Sequence, residues 1–193
     1  MSDVRQLFFK YRSYTPFPFL IFMFAYAEPT THMMIAGGLV VLLGELLRFW
    51  GVAYAGALTR VTGNVGAPEL VVAGPFAYLR NPLYIGNMLM YVGLGIMANA
   101  LMPWLVLVTA IYFFVQYSLI VSLEENFLEK TFRAEFADYK KSVPRFFPRL
   151  TPYVAAVSTA QKADWKGALR SERRTLQAIL LVSIILFVLW YRT

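Results

Sequence analysis

Apolar residues in this chain come in long blocks, and the polar residues gather between them. Tyr14 to Ala27 is apolar and aromatic, with Pro16 and Pro18 near its start and Glu28-Pro29 closing it. It is short for a membrane span, because ~20 residues are needed to cross the hydrocarbon. Met33 to Ala57 is long enough. Pro82 to Ala100 and Trp104 to Leu123 follow, separated only by Asn99 to Pro103, and this tight connection predicts an antiparallel hairpin. Leu176 to Tyr191 is a further, shorter apolar block. The pattern predicts an all-α transmembrane bundle of about five spans forming one domain over residues 1–193.

Beyond Leu123 the periodicity changes. Leu128, Phe132, Phe136 and Tyr139 recur every three or four residues, while Glu125, Glu129, Arg133 and Lys140 occupy other faces, which predicts an amphipathic helix at the membrane surface. Ser142 to Pro152, SVPRFFPRLTP, is excluded from regular helix by three prolines. Residues 1 to 13 are polar and basic, and Lys162 to Arg174 is a second basic stretch.

The polar loop from residue 58 to 81 holds Arg60, Thr62 and Asn64 and is long for a connector, a property often tied to function. Within it Gly74-Pro75 predicts a turn. Asn81-Pro82 predicts a helix start, with Asn capping the orphan amides and Pro at the first helical position. The amide-rich, positive end of that helix favours an anionic group such as a carboxylate or phosphate.

Composition then narrows the class. The chain is 59% hydrophobic and only 15% charged, with a mean hydropathy of +0.55. An ordinary soluble domain is about a quarter charged, so the lipid bilayer is the expected partner. The net charge of +7 does not call for nucleic acid, because the basic residues sit beside apolar blocks. Eleven Lys and Arg lie between Lys130 and Arg174, three precede the first block and two, Arg60 and Arg80, lie in the loop. With five spans these segments share one face, which the positive-inside rule puts in the cytoplasm with the N-terminus and the site. There is no Cys, and the one His, His32, lies on the opposite face, so neither a catalytic triad nor a metal site is expected.

Two charge clusters remain. Glu45 and Arg48 lie inside an apolar block and share a helical face, close enough to be able to pair, and serve either as a structural tie between spans or at a site. Glu124 and Glu125 point about 100° apart on a helix, so one can face the cytoplasmic mouth and the other a basic neighbour. On pattern alone they are equally a solvated face where a helix leaves the membrane.

The blocks GPFAYLRNPLYIGN and LEENFLEKTFRAEFADYKKSVPRFFPRL resemble the isoprenylcysteine carboxyl methyltransferase and phospholipid methyltransferase group of integral membrane enzymes over roughly residues 45 to 150. The resemblance implies an S-adenosyl-L-methionine-dependent methyltransferase with a lipophilic acceptor entering from the bilayer. By motif position it puts cofactor contacts on Pro68, Glu69, Leu70, Val71, Phe76, Asn81, Pro82, Leu83 and Tyr84, and on Glu124 with Glu125 beside it. Arg80, Tyr84 and Glu124 are the expected catalytic residues, with Arg80 a partner for the methionine carboxylate. Asn81 replaces the His of the group's RHP motif. Where the prenylcysteine branch has an Arg this chain has Ile120 or Val121, which leaves Arg48 or Arg145 to bind substrate. The alternatives are an NADPH-dependent reductase of sterol-reductase-like fold, although Leu83 stands where Asn is expected there, and a non-catalytic membrane protein keeping the fold.

Overall fold

The computed structural model describes residues 3–56, 69–155, 158 and 160–192. Among them are six α-helices and no strand: α1 Val4–Tyr11, α2 Pro16–Ala25, α3 Thr31–Ala55, α4 Pro82–Ala98, α5 Trp104–Ser142 and α6 Trp165–Arg192. Helices α3, α5 and α6 are long and apolar enough to cross a membrane; α2 and α4 are apolar but shorter. At 1.5 Å per residue α2 reaches only about 15 Å, half the hydrocarbon thickness. The chain is therefore an integral membrane protein, all-helical over the described residues, with three helices long enough to span and shorter apolar helices packed among them.

The helix ends follow local chemistry. Thr30 caps α3 by accepting from the Met33 amide (3.4 Å), and α3 stops at Gly56, whose φ is +56°. Pro82 opens α4 as expected, and Asn99 ends it in the left-handed conformation before the turn into α5. Gly74 has a φ of +61° and starts a single 3-10 turn through Ala77, matching the turn read from Gly74-Pro75.

Three expectations change. Residues 4–11, within the stretch read only as polar and basic, form α1, capped by Asp3 and packed on α5. The expected surface helix does not begin after Leu123: helical structure continues from the fourth span to a kink at Arg133, where φ is +44°, and resumes beyond it to Ser142. The basic stretch after Lys162 is helical too, joining the last apolar block in α6, because Asp164 caps its first turn through the Gly167 amide (2.9 Å).

The bundle is apolar outside and close-packed inside. Ile35, Leu39, Leu42 and Leu46 of α3 and Leu180, Ile184 and Phe187 of α6 face outward, as side chains in contact with lipid do. The inward face of α3 carries Gly37 and Gly44, set against Gly93 and Gly86 of α4. Lipid is as apolar as Leu, so spans associate mainly through close van der Waals contact, which small residues permit. A Cβ at Gly44 would sit 2.7 Å from the Gly86 carbonyl oxygen, and one at Gly93 2.8 Å from that of Gly37. Gly93→Ala is expected to cost about 1–3 kcal/mol through overpacking. Thermal unfolding in detergent checks this against Gly38→Ala, where the added Cβ meets nothing within 4 Å and no loss is expected.

Candidate active site

Between α1, α3, α4, α5 and the strip preceding the Gly74 turn lies a cavity of about 340 Å³. Its wall includes Glu69, Leu70, Val71, Phe76, Arg80, Asn81, Leu83, Tyr84, Glu124, Glu125 and Arg48 of the residues singled out from sequence. Pro82 and Arg145 are not part of the wall, and Pro68 lies outside the described residues.

The two adjacent carboxylates part ways, as helix geometry requires. The Tyr84 hydroxyl donates to Glu124 Oε1 (2.6 Å), joining the first turn of α4 to α5 at the cavity wall. Glu125 also borders the cavity but points to a different set of partners, and it is 4% exposed. Arg80 Nε donates to its Oε1 (3.0 Å) and Arg145 binds both of its oxygens. Arg80 Nη1 also donates to the carbonyl of Lys140 (2.9 Å) and to that of Val143. The guanidinium expected to meet a cofactor carboxylate is thus engaged by the protein itself, and Arg80 holds the turn against the end of α5.

Backbone bonds extend this junction. The amides of Arg80, Arg149 and Tyr153 donate to the carbonyls of Pro144, Tyr78 and Ala77, so the proline-rich segment lies along residues 77–80. The Tyr139 hydroxyl donates to the Phe76 carbonyl (2.7 Å), and burial holds that hydroxyl well above the ordinary tyrosine range, which keeps it a donor. Asn81 does not cap α4: its side-chain amide donates to the Arg145 carbonyl (3.1 Å). That leaves the first-turn amides of α4 without a side-chain cap beside the cavity.

Deeper in the bundle the wall consists of Arg48, Asn87, Tyr91 and Tyr117. Arg48 does not pair with Glu45. Its Nη1 donates to Asn87 Oδ1 (2.6 Å), and its Nη2 donates to both carboxylate oxygens of Glu172 on α6 (2.8 and 2.9 Å). The Tyr84 and Tyr117 rings lie 4.7 Å apart and continue the aromatic lining.

Sequence reasoning missed the contributions of α1, which adds Phe9, and of the chain after residue 160. Gln161 accepts from the Val72 and Ala73 amides (3.0 and 3.1 Å) and donates to the Leu70 carbonyl (2.8 Å), fixing the strip that lines the cavity. The available signal was Glu172 itself, an acid within a basic stretch, matching the lone arginine in α3.

The sequence profile of the phospholipid methyltransferase family matches residues 32–135, which run from the start of α3 into the last turns of α5. The chain belongs to the phospholipid methyltransferase family. It is also similar to the cobalt-zinc-cadmium resistance protein CzcN of Cupriavidus metallidurans, 36% identical over 63% of this chain and 51% of the relative. The nickel-cobalt-cadmium resistance protein NccN of Alcaligenes xylosoxydans xylosoxydans is 33% identical over 62% of this chain and 51% of its own. The matched part thus spans about half the length of these relatives. In this family member the matched region contains Tyr84, Glu124 and Arg48, whereas α1 and α6 lie outside it.

Arg80→Met removes one of the two cations holding Glu125 and is expected to cost about 3–5 kcal/mol, the usual penalty for breaking a buried pair. Chemical denaturation in detergent checks this, with Lys140→Met as the comparison: Lys140 pairs with Glu129 at an exposed site (3.2 Å), where loss of the pair costs about 0–1 kcal/mol.

Proposed function

We propose that the protein transfers a methyl group from S-adenosyl-L-methionine to a lipophilic acceptor that reaches the cavity from the bilayer. The observation carrying this reading is the Tyr84–Glu124 contact, made at the edge of an aromatic-lined cavity within the family-matched region. The cavity volume falls in the range of about 300–1,000 Å³ typical of ligand sites. Its mixed wall suits a nucleoside with a charged tail: Phe76, Leu128 and Phe136 offer apolar surface, the α4 amides favour a carboxylate, and Glu124 favours a cation.

When bound, S-adenosyl-L-methionine supplies a methyl group on a positively charged sulfur, taken up by an acceptor oxygen or nitrogen as the carbon–sulfur bond breaks. The chain's own residues align the partners and exclude water. Glu69 to Val71 and Phe76 hold the cofactor end, and the strip keeps its shape through Gln161. Glu124, positioned by Tyr84, stabilises positive charge and accepts the proton of an acceptor that carries one. Asn81, unlike the His of the related motif, contributes no proton transfer.

The basic residues from Lys130 to Arg174 favour a cavity mouth on the cytoplasmic side. The names of the two relatives concern resistance to metal ions, but our reading for this chain rests on the family and on the cavity.

S-adenosylhomocysteine is expected to bind the purified protein, and NADPH is not; binding of NADPH alone would favour the reductase reading. Membranes containing the protein, given methyl-labelled cofactor, should yield labelled lipid extract. Lability of that label to base would identify an ester, and stability an N-methyl or O-methyl product. Tyr84→Phe removes a hydrogen bond to a charged group, worth about 1.5–3 kcal/mol, so label incorporation should fall roughly tenfold to a hundredfold. Unchanged incorporation in both Tyr84→Phe and Glu124→Gln would place the reaction elsewhere.

A further inference from the structure

From the pairing at the deep end of the cavity we infer that Glu172 is a specificity-determining residue that makes this end select an uncharged, hydrogen-bonding acceptor head group and reject a carboxylate. The inference rests on the reading of the cavity as an acceptor site. Four observations carry it.

Arg48 lines the cavity, and an unpaired arginine there would be a ready carboxylate receptor, because its planar fork binds two oxygens at once. Both of its terminal nitrogens are already engaged, and Nε, which is buried, has no partner among the described residues. Glu172 is 1% exposed and takes Nη2 with both oxygens, while Asn87 takes Nη1. A carboxylate arriving here would give up its hydration, meet a neutralised guanidinium and lie near the charge of Glu172, so little would compensate its desolvation. The rest of this end is Asn87, Tyr91 and Tyr117, which hydrogen-bond to one another and, through the Asn87 oxygen, to Arg48, so that neutral amide and hydroxyl groups rather than a free cation meet an incoming head group. Charge selection is therefore set by a residue on α6, outside the family-matched region and outside the cavity wall.

Glu45 bears on the test. It lies one helical turn before Arg48, and its buried carboxylate oxygens have no hydrogen-bond partner among the described residues. If Glu172 were neutralised alone, Glu45 would be the replacement partner, so the informative variant is Glu45→Gln/Glu172→Gln, which leaves Arg48 unpaired.

The probes are oleic acid and oleyl alcohol, which share a tail and differ in head group, with retention on the detergent-solubilised full chain read by native mass spectrometry at neutral pH. The wild type is expected to retain the alcohol in preference to the acid. Glu45→Gln/Glu172→Gln should raise the acid-to-alcohol ratio by at least ~10-fold, the effect of exposing an unpaired buried cation to a carboxylate. Arg48→Gln/Glu172→Gln, with neither charge left, should return the wild-type order. A purely structural tie predicts loss of both ligands together, never a gain for the acid. Wild-type preference for the acid, retention of neither probe, or an unchanged ratio in Glu45→Gln/Glu172→Gln would overturn the inference. Should that variant not fold, the wild-type order decides alone. S-adenosylhomocysteine binding, measured in the same preparation, separates the two readings: its absence with head-group selection intact would refute the transferase reading and leave this one standing.

Discussion

A single buried carboxylate, Glu125, organises the end of this molecule that carries the Gly74 turn. It is held between Arg80, which follows the Gly74 turn, and Arg145, in the proline-rich segment after α5. A charge removed from water this far is stable only when paired and hydrogen-bonded, so these three segments can assemble in few other ways. Once Glu125 is anchored, its neighbour Glu124 is turned about 100° around the helix toward the cavity and Tyr84. The constraint on one residue therefore fixes the position of the next, which meets Tyr84 at the cavity wall.

The membrane body follows a different logic. Within lipid, the outward apolar side chains give little reason for one helix to prefer another, and association depends on how closely backbones approach. Glycines on α3 and α4 permit that approach. Arg48 adds direction to it: a cation inside an apolar block must find an acceptor, and Asn87 on α4 and Glu172 on α6 supply it. One side chain thus ties three helices together and also forms part of the cavity wall.

The family-matched stretch contains the cavity's main walls, but the flanks complete it. Phe9 from α1 closes one side, and Gln161 and Glu172 act from behind on residues that line the interior. Belonging to the family is thus compatible with a cavity completed by elements the family pattern does not include.

The order of apolar blocks, the helix start at Pro82, the Gly74 turn and the divergence of Glu124 from Glu125 were all legible in the sequence. Each depends on contacts within a few residues or on helical periodicity, which the local chain dictates. The partners of the buried charges were not legible. Glu45 and Arg48 stand one turn apart and looked able to pair, yet Arg48 reaches across 124 residues to Glu172. Arg80 looked free for a ligand, yet the end of α5 uses its guanidinium. Spacing in sequence limits which side chains can share a face, but several faces compete for each charge. Only the packing of α6 and of the proline-rich segment decided which acceptor lay within hydrogen-bond reach.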